Sequence, residues 1–129
     1  MAYGQSKLAN LLFTKELQRR LDAAGSKVKA HAAHPGYSAT ELQSHSSGVF
    51  GKVFQAGNNL VATSADFGAR QTLYAASQDL PGDSFIGPRF AMWGPTGPTW
   101  IRTPLARNAE KATALWELSE QLTDTKFAL

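Results

Sequence analysis

The first apolar stripe begins almost at the start of the chain. Apolar residues recur three and four positions apart between residue 2 and about residue 24, a spacing that predicts an amphipathic helix. Gly25 follows directly and predicts the end of that helix, because glycine readily adopts the left-handed conformation that closes helices. The positions expected on its buried face are Ala9, Phe13, Leu17, Leu21 and Ala24, widened by Leu8, Leu11 and Leu12.

Two later segments also have helical spacing. The stretch Thr63-Ser-Ala-Asp66 resembles a helix start, and the helix that it predicts runs to about Ser77. We expect that helix to bury Ala69, Leu73 and Ala76. Asn108 is suited to cap a last helix. Its expected buried side carries Ala112, Leu115, Trp116, Ser119 and Leu122.

Between the helices, two short segments read as strands. Val28–His34 alternates in part and stops at Pro35-Gly36, and Ser84–Phe90 follows the Pro81-Gly82 break. Residues 37–62 have no clean period and predict a long loop, while Gly94–Pro98 predicts a turn-rich connector. Helices alternating with strands predict an α/β fold with parallel strands. Two strands make a poor sheet alone, so the chain is expected to form part of a larger one.

Composition narrows the class of protein. The chain has 129 residues, 43% of them hydrophobic and 18% charged, which suits one folded domain with a core. It has no cysteine, no apolar run long enough to span a membrane and no signal peptide, so we expect a cytoplasmic protein. The net charge of +3 is more typical of a solvated basic helix face than of a nucleic-acid site. The three histidines have no metal-site spacing, and no metal is predicted.

Tyr3 and Lys7 are the strongest candidates for chemistry. They stand four residues apart at the start of the first predicted helix, and such residues share one face. A phenol titrates near pH 10, which makes it a poor proton donor or acceptor at neutral pH. A neighbouring cation favours the phenolate form and so suits tyrosine to general acid–base catalysis.

Three motifs occur in an informative order. Tyr3-Gly-Gln-Ser-Lys7 opens the first helix, His34-Pro-Gly-Tyr-Ser-Ala-Thr40 follows a strand about thirty residues later, and Phe85-Ile-Gly-Pro88 lies near a late strand. Together they resemble the C-terminal half of the short-chain dehydrogenase/reductase family. The stretches Gln5–Asn10 and Leu115–Thr123 are most similar to its retinol-dehydrogenase-like and WW-domain-oxidoreductase-like branch. The resemblance implies an α/β fold that is the C-terminal portion of a Rossmann-like, doubly wound parallel sheet, incomplete on its own.

The resemblance also implies roles for individual residues. Tyr3 would give or take the proton at a substrate carbonyl or hydroxyl, and Lys7 would assist Tyr3 and bond the nicotinamide ribose. The expected cofactor is NAD or NADP, and the substrate is an alcohol or carbonyl compound, plausibly lipophilic. Segment 38–62 would be the substrate-binding loop, and a homo-oligomer is expected. The positions implied to line the nicotinamide pocket are Pro35, Gly36 and Tyr37, with Thr40 bonding the carboxamide.

Parts of the family pattern are not found in this chain. The glycine-rich pyrophosphate fingerprint, the catalytic serine and the structural asparagine belong before the tyrosine in the family, and residues 1–129 contain none of them at matching positions. We therefore expect a catalytic half without its N-terminal cofactor-binding half, completed by that half or by another chain and inactive alone. The alternatives are a truncated, non-catalytic remnant that acts as an interaction module, and a basic nucleic-acid binder.

Overall fold

The computed structural model describes residues 2–36, 65–91 and 93–128. This part of the chain is a mixed α/β fold with an incomplete, partly parallel sheet, which confirms the predicted fold class. The chain divides into two compact units, the first containing residues 1–32, 79–85 and 100–129 and the second the remainder. The elements are α1 (Ala2–Ala23), β1 (Ala32–Ala33), α2 (Ala65–Ser77), β2 (Phe85–Pro88), β3 (Thr96–Pro98), a 3-10 turn (Leu105–Arg107) and α3 (Ala109–Thr123).

In the first unit, α1 packs against α3 and the 3-10 turn. Phe13 of α1 stacks on Trp116 of α3, with ring centroids 5.2 Å apart and planes 13° from parallel. Burial of aromatic and aliphatic groups of this size is the main stabilising term in a small core. The buried apolar residues of this unit are Leu12, Leu21, Leu80, Ala106, Ala112 and Trp116.

The predicted helix ends have the expected geometry. Gly25 has a φ of +66°, and the Ser26 amide donates to the Leu21 carbonyl at 2.9 Å, which closes α1. The Asn108 side chain accepts a hydrogen bond from the Lys111 amide at 2.8 Å and so caps α3. Both sequence predictions are therefore confirmed.

The sheet has the order β1–β2–β3. The His34 amide donates to the Ile86 carbonyl at 2.9 Å, and the Ala32 amide to the Ser84 carbonyl at 3.0 Å, so β1 and β2 run parallel. β2 and β3 are antiparallel, with Gly87 opposite Gly97. The prediction of a mere connector at Gly94–Pro98 was therefore wrong, because its last three residues pair with β2 despite the low strand propensity of glycine and proline. The predicted strand Val28–His34 is confined to Ala32–Ala33.

Several predictions of buried faces were also wrong. In α1, Phe13 is 48% exposed, whereas Glu16 and Gln18 are buried, and hydrogen bonds to both side chains offset the cost of burying polar groups. In α2, Gln71 is fully buried and Leu73 is 67% exposed, so the buried face is rotated from the expected one. Ala69 and Ala76 are exposed too. In α3, Leu122 is 77% exposed.

The described residues lack two features that would bear on function. None of the described helices combines the length and apolar character needed to cross a membrane. Within the same residues, no three histidine, aspartate or glutamate side chains are arranged so that they could hold a metal ion.

Candidate active site

Tyr3 and Lys7 lie together on the first two turns of α1. The Lys7 Nζ atom lies over the Tyr3 ring, 5.1 Å from its centroid, which is within the range of a cation–π contact. The Tyr3 side chain is 67% exposed. The spacing of four residues thus places an ammonium and a phenol on one accessible helix face, as the sequence predicts, and their catalytic role stays a prediction.

Ser6 supports the backbone at this point. Its hydroxyl donates to the Tyr3 carbonyl at 2.8 Å, within the same exposed turn. The first carbonyls of a helix already accept intrahelical bonds, so this contact reinforces the turn rather than presenting a free hydroxyl to a ligand.

The second group of predicted site residues follows β1. Gly36 has a φ of +71°, a left-handed conformation that favours glycine. Its amide donates to Nδ1 of His34 at 3.3 Å. Pro35 stands between them and has a fixed φ, so three consecutive residues make a tightly defined turn. Tyr37, Thr40 and the predicted loop 38–62 lie outside the described residues.

The two groups belong to different compact units of the chain. Tyr3 and Lys7 lie in the first unit, and Pro35 and Gly36 lie in the second. Each unit brings its own residues together. The first presents an exposed phenol–ammonium pair, and the second presents a turn at the carboxyl end of a parallel strand, which is where α/β sheets commonly bind ligands.

His34 is a functional candidate to which the sequence alone assigned no role of its own. Burial lowers the pKa of its imidazole, because desolvation disfavours the charged form. Gly87 of β2 has no side chain where this ring lies, and a Cβ atom there would overlap the imidazole. The available signal was the position of the histidine, which directly precedes Pro35-Gly36 at the end of a strand.

Glu16 is a second residue whose environment the sequence did not reveal. Only 1% of its surface is exposed, and its carboxylate accepts hydrogen bonds from Arg19 at 2.7 and 2.9 Å, from Arg20 at 2.9 Å and from Thr113 at 3.1 Å. The hydrogen bonds from Arg19 contribute most to lowering the pKa of Glu16 to about 2, against an opposing effect of burial. A carboxylate ionised throughout the neutral range is unsuited to proton transfer. The role of Glu16 is instead structural, because its bond with Thr113 links α1 to α3.

Several known proteins are similar to this chain over most of its length. No family model matches the chain. Human retinol dehydrogenase 12 is 36% identical over 125 residues, which cover 94% of this chain and 35% of that protein. Human retinol dehydrogenase 13 is 38% identical over 130 residues, covering 94% of this chain and 36% of the relative. The sequence matches the C-terminal part of a short-chain dehydrogenase/reductase.

A plant short-chain dehydrogenase and a solved structure are also similar to this chain. The chloroplastic short-chain dehydrogenase TIC 32 B of Brassica napus is 35% identical over 125 residues, covering 96% of this chain and 37% of the relative. The chain therefore spans about a third of the length of the curated relatives it matches. The crystal structure of an uncharacterized protein from Mycobacterium paratuberculosis is 59% identical, with a TM-score of 0.77 over 99% of this chain and 40% of that one.

Proposed function

We propose that this chain carries the proton-transfer residues of an NAD(P)-dependent short-chain dehydrogenase/reductase that interconverts an alcohol and a carbonyl compound. The observation that carries the proposal is the position of the Lys7 ammonium over the Tyr3 ring, in a chain whose relatives are named as dehydrogenases. Residues 1–129 would act as the catalytic half, with segment 38–62 as the substrate-binding loop. A lipophilic alcohol is the preferred substrate class, because two of the relatives are named for retinol.

The residues of the pair fit this role chemically. Tyr3 is exposed, so its hydroxyl can reach a substrate oxygen, and the Lys7 ammonium has no carboxylate partner within the part of the chain that is described. In alcohol oxidation, Tyr3 would take the hydroxyl proton, and in carbonyl reduction it would return that proton to the oxygen. Lys7 would assist Tyr3 and present N–H donors to ribose hydroxyls.

A nicotinamide nucleotide, when bound, would donate or accept the hydride. The turn after β1 fits such a ligand, because Gly36 has no side chain and its left-handed backbone allows close approach. By the family resemblance, Pro35, Gly36, Tyr37 and Thr40 would line the nicotinamide pocket. The choice between NAD and NADP depends on positions outside these motifs.

A graft tests this proposal. The chain is inserted into the Mycobacterium paratuberculosis protein in place of the matching segment, since 59% identity favours preserved packing. Formation of NADH or NADPH is then measured with a panel of primary alcohols that includes retinol, for the graft and for the unaltered host.

The expected result is turnover by the graft that falls about 10²–10⁴-fold in the Tyr3→Phe variant, the range typical of general acid–base groups. The unfolding free energy should change by less than about 0.5 kcal/mol, as for most exposed substitutions. Tyr74→Phe, which removes a phenol from α2, is the matched control and should keep full activity. A folded graft that binds no nucleotide, beside an active host, would favour the non-catalytic interaction module.

A further inference from the structure

The end of β1 is tied to its own following turn by one side chain. The backbone amide of His34 donates to the Ile86 carbonyl at 2.9 Å, which fixes this residue in the ladder with β2. Its Nδ1 atom in turn accepts the Gly36 amide at 3.3 Å. The imidazole therefore connects the regular sheet to the backbone of a left-handed glycine two residues further along.

Gly87 provides the space that this arrangement needs. A Cβ atom at Gly87 would overlap the His34 ring. Gly97, its partner across the β2–β3 ladder, has nothing within 4 Å of the corresponding position. These two glycines are paired in the sheet but differ in this respect. At Gly87 the His34 imidazole occupies the position that a larger residue's side chain would take, whereas the same position at Gly97 is open.

The protonation state of the ring suits the bond. Nδ1 accepts a hydrogen bond only when it carries no proton, that is, in one tautomer of the neutral imidazole. Burial lowers the pKa of His34 and so favours that neutral form.

We propose that His34 is a positioning residue whose Nδ1 atom holds the Gly36 amide, with Gly87 as the site that admits its ring, so that the Pro35–Gly36 turn has a single conformation. The inference rests on the proposed function for its purpose, since this turn is the segment proposed to line the nicotinamide pocket. Its physical content is independent of any ligand: it concerns one hydrogen bond and one steric requirement.

Amide hydrogen exchange of the ¹⁵N-labelled full chain tests the bond. Asparagine at position 34 offers a side-chain oxygen near the place of Nδ1, whereas glutamine reaches toward the place of Nε2 and leucine offers no acceptor. Gly36 should exchange at nearly the parent rate in His34→Asn and about five- to tenfold faster in His34→Gln and His34→Leu, as expected for a bond of modest net strength. Equal Gly36 exchange in all four proteins would overturn the proposal.

The steric requirement is tested with the paired glycines. Gly87→Ala should displace the ring and speed Gly36 exchange as His34→Leu does, whereas Gly97→Ala should leave Gly36 unchanged. If Gly87→Ala folds poorly, the double variant His34→Ala/Gly87→Ala should recover stability, because the overlapping ring is gone. Failure of the double variant to recover, or equal effects of the two alanines, would contradict the role of Gly87.

A titration of the graft with NADH and NADPH, in which the host supplies the cofactor-binding half, separates this inference from the proposed function. Rescue of Gly36 protection by asparagine in the chain, beside a folded graft that binds neither nucleotide, would support the role of His34 and contradict the proposed function. Nucleotide binding by the graft, with Gly36 exchange that is the same whatever residue stands at position 34, would support the proposed function and contradict the role of His34. We expect both to succeed, with weaker nucleotide binding in the His34→Gln graft than in the His34→Asn graft.

Discussion

The two halves of α1 differ in how far their charged side chains are exposed and in how many partners those side chains have. Near its start, the Lys7 ammonium lies over the ring of Tyr3, which is 67% exposed, and the neighbouring Ser6 hydroxyl donates to the Tyr3 carbonyl. Two turns further along, Glu16 is 1% exposed, and donors on both α1 and α3 surround its carboxylate. One helix thus carries an accessible pair and a saturated buried cluster.

This difference corresponds to two roles: the proposed chemistry for the accessible pair, and stability for the buried cluster. A side chain that must meet a substrate has to remain accessible, and its removal should cost little folding free energy. A buried carboxylate with several charged donors is costly to disturb, because removing one member leaves the others unpaired. The guanidinium carbon of Arg20 in this cluster also lies 4.6 Å from the centre of the Trp116 ring, so the cluster is in direct contact with the apolar core.

Disruption of the buried cluster should give the largest loss of stability. Glu16→Gln removes the charge that Arg19, Arg20 and Thr113 surround, and should lower the unfolding free energy by about 2–3 kcal/mol in urea denaturation. The figure lies below that of a fully buried pair because the Arg19 side chain is 55% exposed. Glu117→Gln, an exposed change on α3, is the control. A loss no larger than that of the control would show that the cluster contributes nothing to folding.

Acid should remove the same contribution gradually. The pKa of Glu16 is about 2 in the folded chain against an ordinary value of 4.5, so its stabilising effect is complete above about pH 4.5 and is lost as the pH falls toward 2. The gap in unfolding free energy between the parent and Glu16→Gln should therefore shrink between pH 5 and pH 2.5. A gap that stays constant over this range would mean that the carboxylate is not specially stabilised.

The sequence predicted the exposed half of this helix better than the buried half. The spacing of Tyr3 and Lys7 placed both on one face because i and i+4 geometry is local. Local signals likewise identified the Gly25 end and the Asn108 cap. Glu16 and Gln71 were missed because their burial depends on which elements pack over them, which the local sequence does not show; Glu16 lies under α3, where Thr113, 97 residues away, donates to its carboxylate.

The sequence also missed the strand β3 and the role of His34, because both depend on contacts between residues distant in the chain. The residues of β3 have poor strand propensity, and only pairing with β2 makes them a strand. His34 and Gly87 are far apart in sequence, so neither position alone shows that one makes room for the other. The proposed chemistry could be recognised from short motifs, whereas the contacts that hold it in place could not.

A smaller effect is expected at the helix that faces the buried cluster. Asn108→Ala removes the acceptor for the Lys111 amide and should cost about 1 kcal/mol of unfolding free energy. Asn108→Asp keeps an oxygen at the same place and adds a charge that a helix N-terminus favours, so it should retain the parent stability. If both variants lose the same amount, the side chain of residue 108 stabilises the chain by some means other than capping.

Replacement of Lys7 in the graft tests the exposed pair most directly. Lys7→Met keeps much of the aliphatic stem but removes the charge beside Tyr3, and Lys27→Met removes an exposed charge beyond the end of α1. Alcohol-dependent NADH or NADPH formation should fall at least about tenfold in Lys7→Met, with unfolding free energy unchanged within about 0.5 kcal/mol. Lys27→Met should retain the parent rate. Equal rates in the two variants would contradict the claim that Lys7 and Tyr3 act as a catalytic pair.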